Sequence, residues 1–147
     1  MRDRIAEFKQ SSHTCLLLAH PDIGRLAGAV KELLQAYGWP YLSIGAELAD
    51  VLLAEMPAHR PRRVDRWMRE RAGALSPGPV LCSEIALLFE PSLALDPLRM
   101  LRETSRVARL VVAWPGEYRD NVLTYAVPAH RHYRAWRGPD VLIIPLE

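Results

Sequence analysis

The segment Thr14 to Ala19, Thr-Cys-Leu-Leu-Leu-Ala, is short and almost continuously apolar, and the turn-like His20-Pro21-Asp22-Ile23-Gly24 follows it directly. A run of that length without period-two alternation is a strand buried on both faces. From Ile23 the apolar positions Leu26, Ala27, Val30, Leu33, Leu34 and Tyr37 recur at three- and four-residue spacing until Gly38 and Pro40 stop them. That is the pattern of one amphipathic helix. The opening unit is therefore strand, tight loop, helix, and a strand buried on both faces needs helices above and below its sheet.

The alternation continues along the chain. Tyr41 to Ile44 reads as a second strand and Ala46 to Met56 as a helix closed by Pro57. Pro61 fits the first turn of a further helix reaching Ala74, with Val64, Trp67 and Met68 on its apolar side. Val80 to Ser83, after the Ser76-Pro77-Gly78-Pro79 punctuation, reads as another buried strand, and the pattern leaves the geometry of the following Ile85 to Phe89 open. Asp96 and Pro97 have the form of an N-cap and first-turn proline for a helix reaching Ser105. Arg109 to Trp114 and Val141 to Ile144 are the last expected strands. The stretch from Pro115 to Pro139 has no clear period; rich in Tyr, His and Arg, it reads either as a contact surface or as partial helix around Ala129 to Trp136. The expected fold is a single α/β domain over residues 1–147, three layers built on a mainly parallel sheet of about five strands.

Composition narrows the function classes. With 50% hydrophobic and 24% charged residues the chain has the balance of an ordinary globular protein, which excludes disorder. The start, MRDRIAEFKQSSHT, places no apolar stretch behind its basic residues, so secretion and membrane spanning are not expected and a cytoplasmic location is. Cys15 and Cys82 each lie inside a short apolar run and read as reduced core thiols. Formal charge is only +2, and Lys9 and Lys31 are the sole lysines. That arginine bias is read first as genome composition and only second as phosphate recognition.

A phosphate-binding loop follows a strand and opens a helix with G-x-x-x-x-G-K-[ST]. Its glycines let backbone amides approach phosphate, its lysine neutralises charge and its hydroxyl binds magnesium. Here the same place reads Ala19-His20-Pro21-Asp22-Ile23-Gly24-Arg25-Leu26. Gly24 falls on the second glycine, whereas Ala19, Arg25 and Leu26 replace the first glycine, the lysine and the hydroxyl residue. Arg25 can still reach a phosphate, but Leu26 offers no oxygen to a metal. Asp22 adds negative charge where an anion would sit, and the alternative reading of His20 to Leu26 is a plain turn and helix cap. Downstream, four apolar strand residues before Asp-Glu would hold magnesium and activate water; Val80-Leu81-Cys82-Ser83-Glu84 has that form with serine for the aspartate. Glu84 thus stands at the position of a catalytic base without its metal, or is a strand-end glutamate facing solvent.

Three blocks carry a family resemblance: Cys15 to Leu26, Pro79 to Arg106 (PVLCSEIALLFEPSLALDPLRMLRETSR) and Val111 to Arg134 (VVAWPGEYRDNVLTYAVPAHRHYR). Together they resemble BrxF, the small P-loop protein of type-three BREX bacteriophage-exclusion systems. Ile85 to Phe89 with Asp96-Pro97-Leu98, and Ala113-Trp114-Pro115-Gly116 with Leu123-Thr124-Tyr125-Ala126, are its more specific parts, since generic P-loop domains do not require them. The resemblance implies a P-loop NTPase-like three-layer sandwich, with the Arg109 to Trp114 strand inserted between the first strand and the Val80 strand. It also implies a role in phage defence and partners among a large ATPase, a DNA methyltransferase and a phosphatase-like protein. The departures at Ala19, Arg25 and Leu26 point away from hydrolysis and toward a scaffold or DNA-associated role. ATP with magnesium remains the cofactor such a loop would take, and the alternative is an atypical ATPase using Arg25 and Glu84.

Other candidates complete the reading. Arg60, Arg62, Arg63, Arg66, Arg69 and Arg71 form a basic cluster that reads first as a solvated helix face with Trp67 buried, and second as a surface following a nucleic-acid backbone. Arg131, Arg134 and Arg137 precede the final strand, where oligomeric P-loop ATPases often present an arginine to a neighbour's nucleotide. His130 and His132 would share one face of a strand, but no Cys or carboxylate cluster accompanies them and no metal site is expected. A self-associating ring or filament on DNA is among the assemblies considered.

Overall fold

The computed structural model describes residues 1–126 and 131–147. Its strands are β1 (Cys15–Ala19), β2 (Tyr41–Ser43), β3 (Val80–Ser83), β4 (Leu110–Trp114), β5 (Tyr118–Arg119), β6 (Val122–Tyr125), β7 (Arg134–Arg137) and β8 (Leu142–Pro145). Five of them form one sheet in the order β2-β3-β4-β1-β8, and every pairing in it is parallel. β4 lies between β1 and β3, the insertion that the family resemblance implies. The helices are α1 (Arg2–Gln10), α2 (Ile23–Tyr37), α3 (Ile44–Leu53), α4 (Arg60–Ala74) and α5 (Pro97–Thr104). None is long and apolar enough to cross a membrane.

β1 organises both faces. Its side chains alternate, so Leu16 and Leu18 join Leu81, Val111 and Ile144 under α1 and α2, whose Ile5, Phe8, Leu26, Val30 and Leu33 cover them. Cys15, Leu17 and Ala19 point the other way, with Cys82 and Val112, into a larger core covered by α3, α4 and α5. Leu16, Leu17 and Leu18 are fully buried. At about 2 kcal/mol for each buried leucine, these three side chains are comparable to the whole net stability of a small domain.

Local signals set most boundaries. Asp22 caps α2 and Gly38 ends it in the left-handed conformation. Asp96 accepts from the Arg99 amide and Pro97 opens α5, as expected. The segment left open, Ile85 to Phe89, forms a 3-10 turn at Ala86–Phe89. The helix expected over Ala46 to Met56 instead spans Ile44–Leu53, because Met56 is extended and Pro57 opens a separate 3-10 turn, Pro57–His59. The last strand is Leu142–Pro145 rather than Val141 to Ile144; its Pro145 is tolerated because β8 is an edge strand.

Two features were not foreseen. α1 carries only Ile5 and Phe8 as buried residues, too sparse a pattern to read as a helix, yet it is anchored by Arg109. That guanidinium lies 4.5 Å from the Phe8 ring centroid and donates to the carbonyls of Phe8, Lys9 (2.9 Å) and His13 (2.9 Å), supplying partners to the open C-terminal end of the helix. The second is an antiparallel sheet, β5-β6-β7, within the aperiodic stretch. Arg134 to Trp136 is strand there, not helix, while Ala129 and His130 lie outside the described residues.

The small sheet is joined to the large one by the two motifs singled out for their specificity. Trp114, fully buried at the end of β4, donates from Nε1 to the Thr124 carbonyl at 2.8 Å. Ala126 donates to the Pro115 carbonyl at 3.2 Å. Phe89 stacks on Tyr125 with centroids 3.6 Å apart, and Trp136 meets Trp114 edge-on at 5.4 Å. Gly116 passes so close to β6 that a Cβ there would overlap the Thr124 carbonyl oxygen.

Two predictions follow from this packing. Gly116→Ala must push β6 away from Trp114 and should destabilise the fold by roughly 2 kcal/mol or more, read as a lower urea midpoint. Burial raises the Cys15 thiol from 9.0 to about 12, with Arg102 pulling slightly back, and raises Cys82 further still. A thiol whose folded pKa exceeds its unfolded one favours the folded state while both are protonated. Stability should therefore hold below pH 9.0 and fall above it, by up to about 1.4 kcal/mol per pH unit for each thiol. Urea titrations at rising pH should show that slope, and a Cys15→Ala, Cys82→Ala double variant should lose most of it.

Candidate functional site

The loop between β1 and α2 is closed by its own side chains. His20 donates its backbone N–H to the Trp114 carbonyl at 3.2 Å, tying the end of β1 to the end of β4. Its ring Nδ1 accepts from the Asp22 amide at 2.9 Å. Asp22 Oδ1 then accepts from the Gly24 amide at 2.7 Å and the Arg25 amide at 3.2 Å. Pro21 has no N–H to offer. The donors that would cradle a phosphate at this helix N-terminus are thus held by a carboxylate already in place, and the positive end of the helix dipole is offset by it.

Arg25 and Leu26 are also committed elsewhere. Arg25 Nε donates to the backbone oxygen of Glu147 at 2.7 Å, which draws the guanidinium toward the end of the chain. Leu26, at the position of a metal-binding hydroxyl, is a core residue packed with Val30 and Leu33. Ile23 is 74% exposed. Among the described residues no group of three or more His, Cys, Asp or Glu could hold a metal ion.

At the end of β3 the structure assembles a polar group that the sequence did not reveal in full. Ser43 pairs with Ser83 in the parallel register, which sets Tyr41, Ser43 and Ser83 on one face. The Ser83 and Tyr41 hydroxyls share a short hydrogen bond, and Ser43 Oγ donates a short one to Glu84 Oε2. Glu84 adopts φ 55°, in the left-handed region, and its carbonyl accepts from the Gly45 amide at 2.9 Å. That conformation costs a non-glycine residue on the order of 1 kcal/mol and fixes the carboxylate over β2. Tyr41 and Ser43 were missed; the available signal was their period-two spacing in a strand, which fixes a common face but not the neighbour.

Beside this group lies an open groove of about 800 Å³ between α2 and the β2–β3 end of the sheet. Ile23, Val30, Leu34, Ile85 and Leu87 make it mainly apolar, and Ser83 and Glu84 lie in its wall. Ile23 and Leu26 are the loop residues that reach it; Asp22 and Arg25 do not line it. The two halves expected to form one nucleotide site are therefore separately satisfied.

The first arginine cluster is largely paired. Arg60 Nε donates to the carbonyls of Leu52 (2.9 Å) and Glu55 (3.2 Å), capping α3. Arg66 and Arg63 lie 3.8 and 3.9 Å from Glu70, Arg69 3.3 Å from Asp65 and Arg71 3.0 Å from Glu47. Arg62 is exposed, and Trp67 is buried rather than available for stacking. In the second cluster Arg134 donates to the Leu95 carbonyl at 2.8 Å with its guanidinium 5.2 Å from the Trp136 ring. Arg131 and Arg137 are exposed, and His132 is partly buried.

Fold and site together define an α/β protein with an all-parallel five-stranded sheet, a self-capped loop after its first strand and a separate apolar groove. No protein-family model, curated protein or solved structure matches the chain.

Asp22→Ala removes two charge-assisted bonds and one helix cap, and should lower stability by about 1 kcal/mol in urea denaturation. Asp22→Asn, which keeps an acceptor, should recover most of the loss.

Proposed function

We propose that this chain is a P-loop-like subunit of a BREX-type phage-exclusion assembly, without nucleotide hydrolysis of its own, that acts as a scaffold for other components of that assembly. The observation that carries the loss of hydrolysis is the Asp22 carboxylate on the Gly24 and Arg25 amides. A nucleotide phosphate would have to displace it and then meet its repulsion. The engagement of Arg25 with Glu147 and of Glu84 with Ser43 supports the same reading, because an ATPase built on these residues needs both turned toward one substrate.

The P-loop part of the proposal is supported by the strand order, in which β4 separates β1 from β3, and by a helix-opening loop at the C-terminal end of β1. The BREX part rests on the resemblance of the Pro79 to Arg106 and Val111 to Arg134 blocks. Its two more specific motifs are the ones that lock together through Phe89, Trp114, Thr124 and Tyr125. A duplex-binding role has less support, since Arg63, Arg66, Arg69 and Arg71 lie against carboxylates.

Calorimetric titration of ATP and of ADP, with and without magnesium, should give no binding heat with the native protein or with Arg25→Ala. Tight binding by the native protein that Arg25→Ala abolishes would show that the loop still cradles phosphate, and ATP hydrolysis above background that Glu84→Gln abolishes would overturn the non-hydrolysing reading. Coexpression with the large ATPase, methyltransferase and phosphatase-like components should retain at least one of them on the tagged chain, and retention of none would sink the scaffold role.

A further inference from the structure

A separate polar cavity of about 220 Å³ lies at the N-terminal end of β1, whereas the self-capped loop follows its C-terminal end. Ser12, His13 and Thr14 line one side of it, and Arg102, Ser105 and Arg106, at the end of α5, line the other. Asp140, whose side chain is 91% exposed, stands at the rim. Cations at the end of a helix commonly serve as caps for its last carbonyls. Here those carbonyls are already served. Leu101 accepts from the Ser105 amide at 2.9 Å, Arg102 from Ser105 Oγ at 2.6 Å, Glu103 from the Arg106 amide at 3.2 Å and Thr104 from the Val107 amide at 2.9 Å. Neither guanidinium is needed as a cap.

The walls are fixed and their spare hydrogen-bonding capacity is mostly that of donors. Ser11 Oγ donates to the Phe8 carbonyl at 2.8 Å and accepts from the His13 amide at 3.2 Å. Arg109 holds the His13 carbonyl at 2.9 Å, and the Leu110 amide holds that of Thr14 at 2.9 Å. Ser105 has a single hydroxyl proton and gives it to the Arg102 carbonyl, so Thr14 is the donor in their 2.8 Å contact. Arg102 donates one N–H to Asp140 at 3.2 Å, an exposed pair of the kind that contributes little. Among the described residues nothing partners the Arg106 guanidinium, the Ser12 hydroxyl or the His13 ring. Two guanidinium charges thus face one carboxylate, with an imidazole and a hydroxyl opposite them.

We infer that this cavity binds the oxyanion of a single phosphate group, either free or as the monoester of a small molecule. A tetrahedral acceptor takes hydrogen bonds from several directions at once, which suits donors set on two facing walls, whereas a planar carboxylate is matched by one guanidinium alone. The small volume admits one such group, and Asp140 at the rim repels the further charges of a polyphosphate, so ATP is not a ligand here. The site makes no use of the loop after β1 and does not depend on the scaffold role. Either can fail without the other.

The test follows backbone amide chemical shifts of the isotope-labelled full chain during titration with inorganic phosphate and, separately, glycerol 3-phosphate, against sodium chloride at matched ionic strength and constant pH. Either phosphate should give saturable shifts at the Ser12, His13, Ser105 and Arg106 amides and none at Gly24 or Arg25; the tighter of the two names the source of the group. Arg106→Gln should weaken binding at least about tenfold, the loss of a charge-assisted contact. Asp140→Asn should tighten it by about threefold or more, because the competing carboxylate is gone. Both side chains are exposed, so both variants should fold as the native chain does. Arg25→Ala should bind phosphate as the native protein does. Shifts no larger than those with chloride, saturable shifts at Gly24 and Arg25 instead, or an Arg106→Gln variant that binds like the native protein would each overturn the inference.

Discussion

The structure depends on the burial of β1 from both sides. Its five residues are all inside, and hydrogen bonding to β4 on one edge and β8 on the other leaves its backbone no exposure to water. A strand in that position cannot exist until two layers of helix are in place. The amphipathic stripe of α2, the two buried residues of α1 and the cluster under α3, α4 and α5 are all consequences of having to cover it.

Covering the second face creates a further demand at the C-terminal end of β4. Trp114 is fully buried there, and its indole N–H needs an acceptor away from water. The Thr124 carbonyl supplies it, which brings β6 across the end of the large sheet and forces glycine at position 116. Phe89 and Trp136 then meet the same indole edge-on, and Tyr125 stacks on Phe89. The antiparallel sheet is held by this aromatic cluster, not by strand pairing with the parallel one.

The same economy of partners shapes the candidate site. A helix N-terminus must satisfy its first amides, and in α2 an aspartate from the preceding turn does so. That carboxylate occupies the Gly24 and Arg25 amides and offsets the positive end of the helix dipole. Glu84 is likewise held over β2 by Ser43 and Gly45. Beside it lies a mainly apolar groove along α2, while Leu53 and Met56 are exposed at and beyond the end of α3, on the other face of the sheet.

The sequence by itself determined the layered α/β character, the positions of the strands at Cys15–Ala19 and Val80–Ser83, the capping role of Asp96, and the burial of Cys15, Cys82 and Trp67, while it left the Asp22 cap as one of two readings of its loop. Each of these is a local property: apolar run length, three- and four-residue spacing, or a cap beside its helix. The α1 helix and the β5-β6-β7 sheet were not legible, because one is held by Arg109 from a hundred positions away in the chain and the other by an indole bond to β6. Nor could sequence say that Arg25 would turn to Glu147, that Ser43 would face Glu84, or that Ile23 and Tyr41 would border one groove while Leu53 and Met56 stood on the opposite side. Those are matters of which surfaces meet, and only the tertiary structure decides them, since residues distant in sequence become neighbours through the order in which the strands pair.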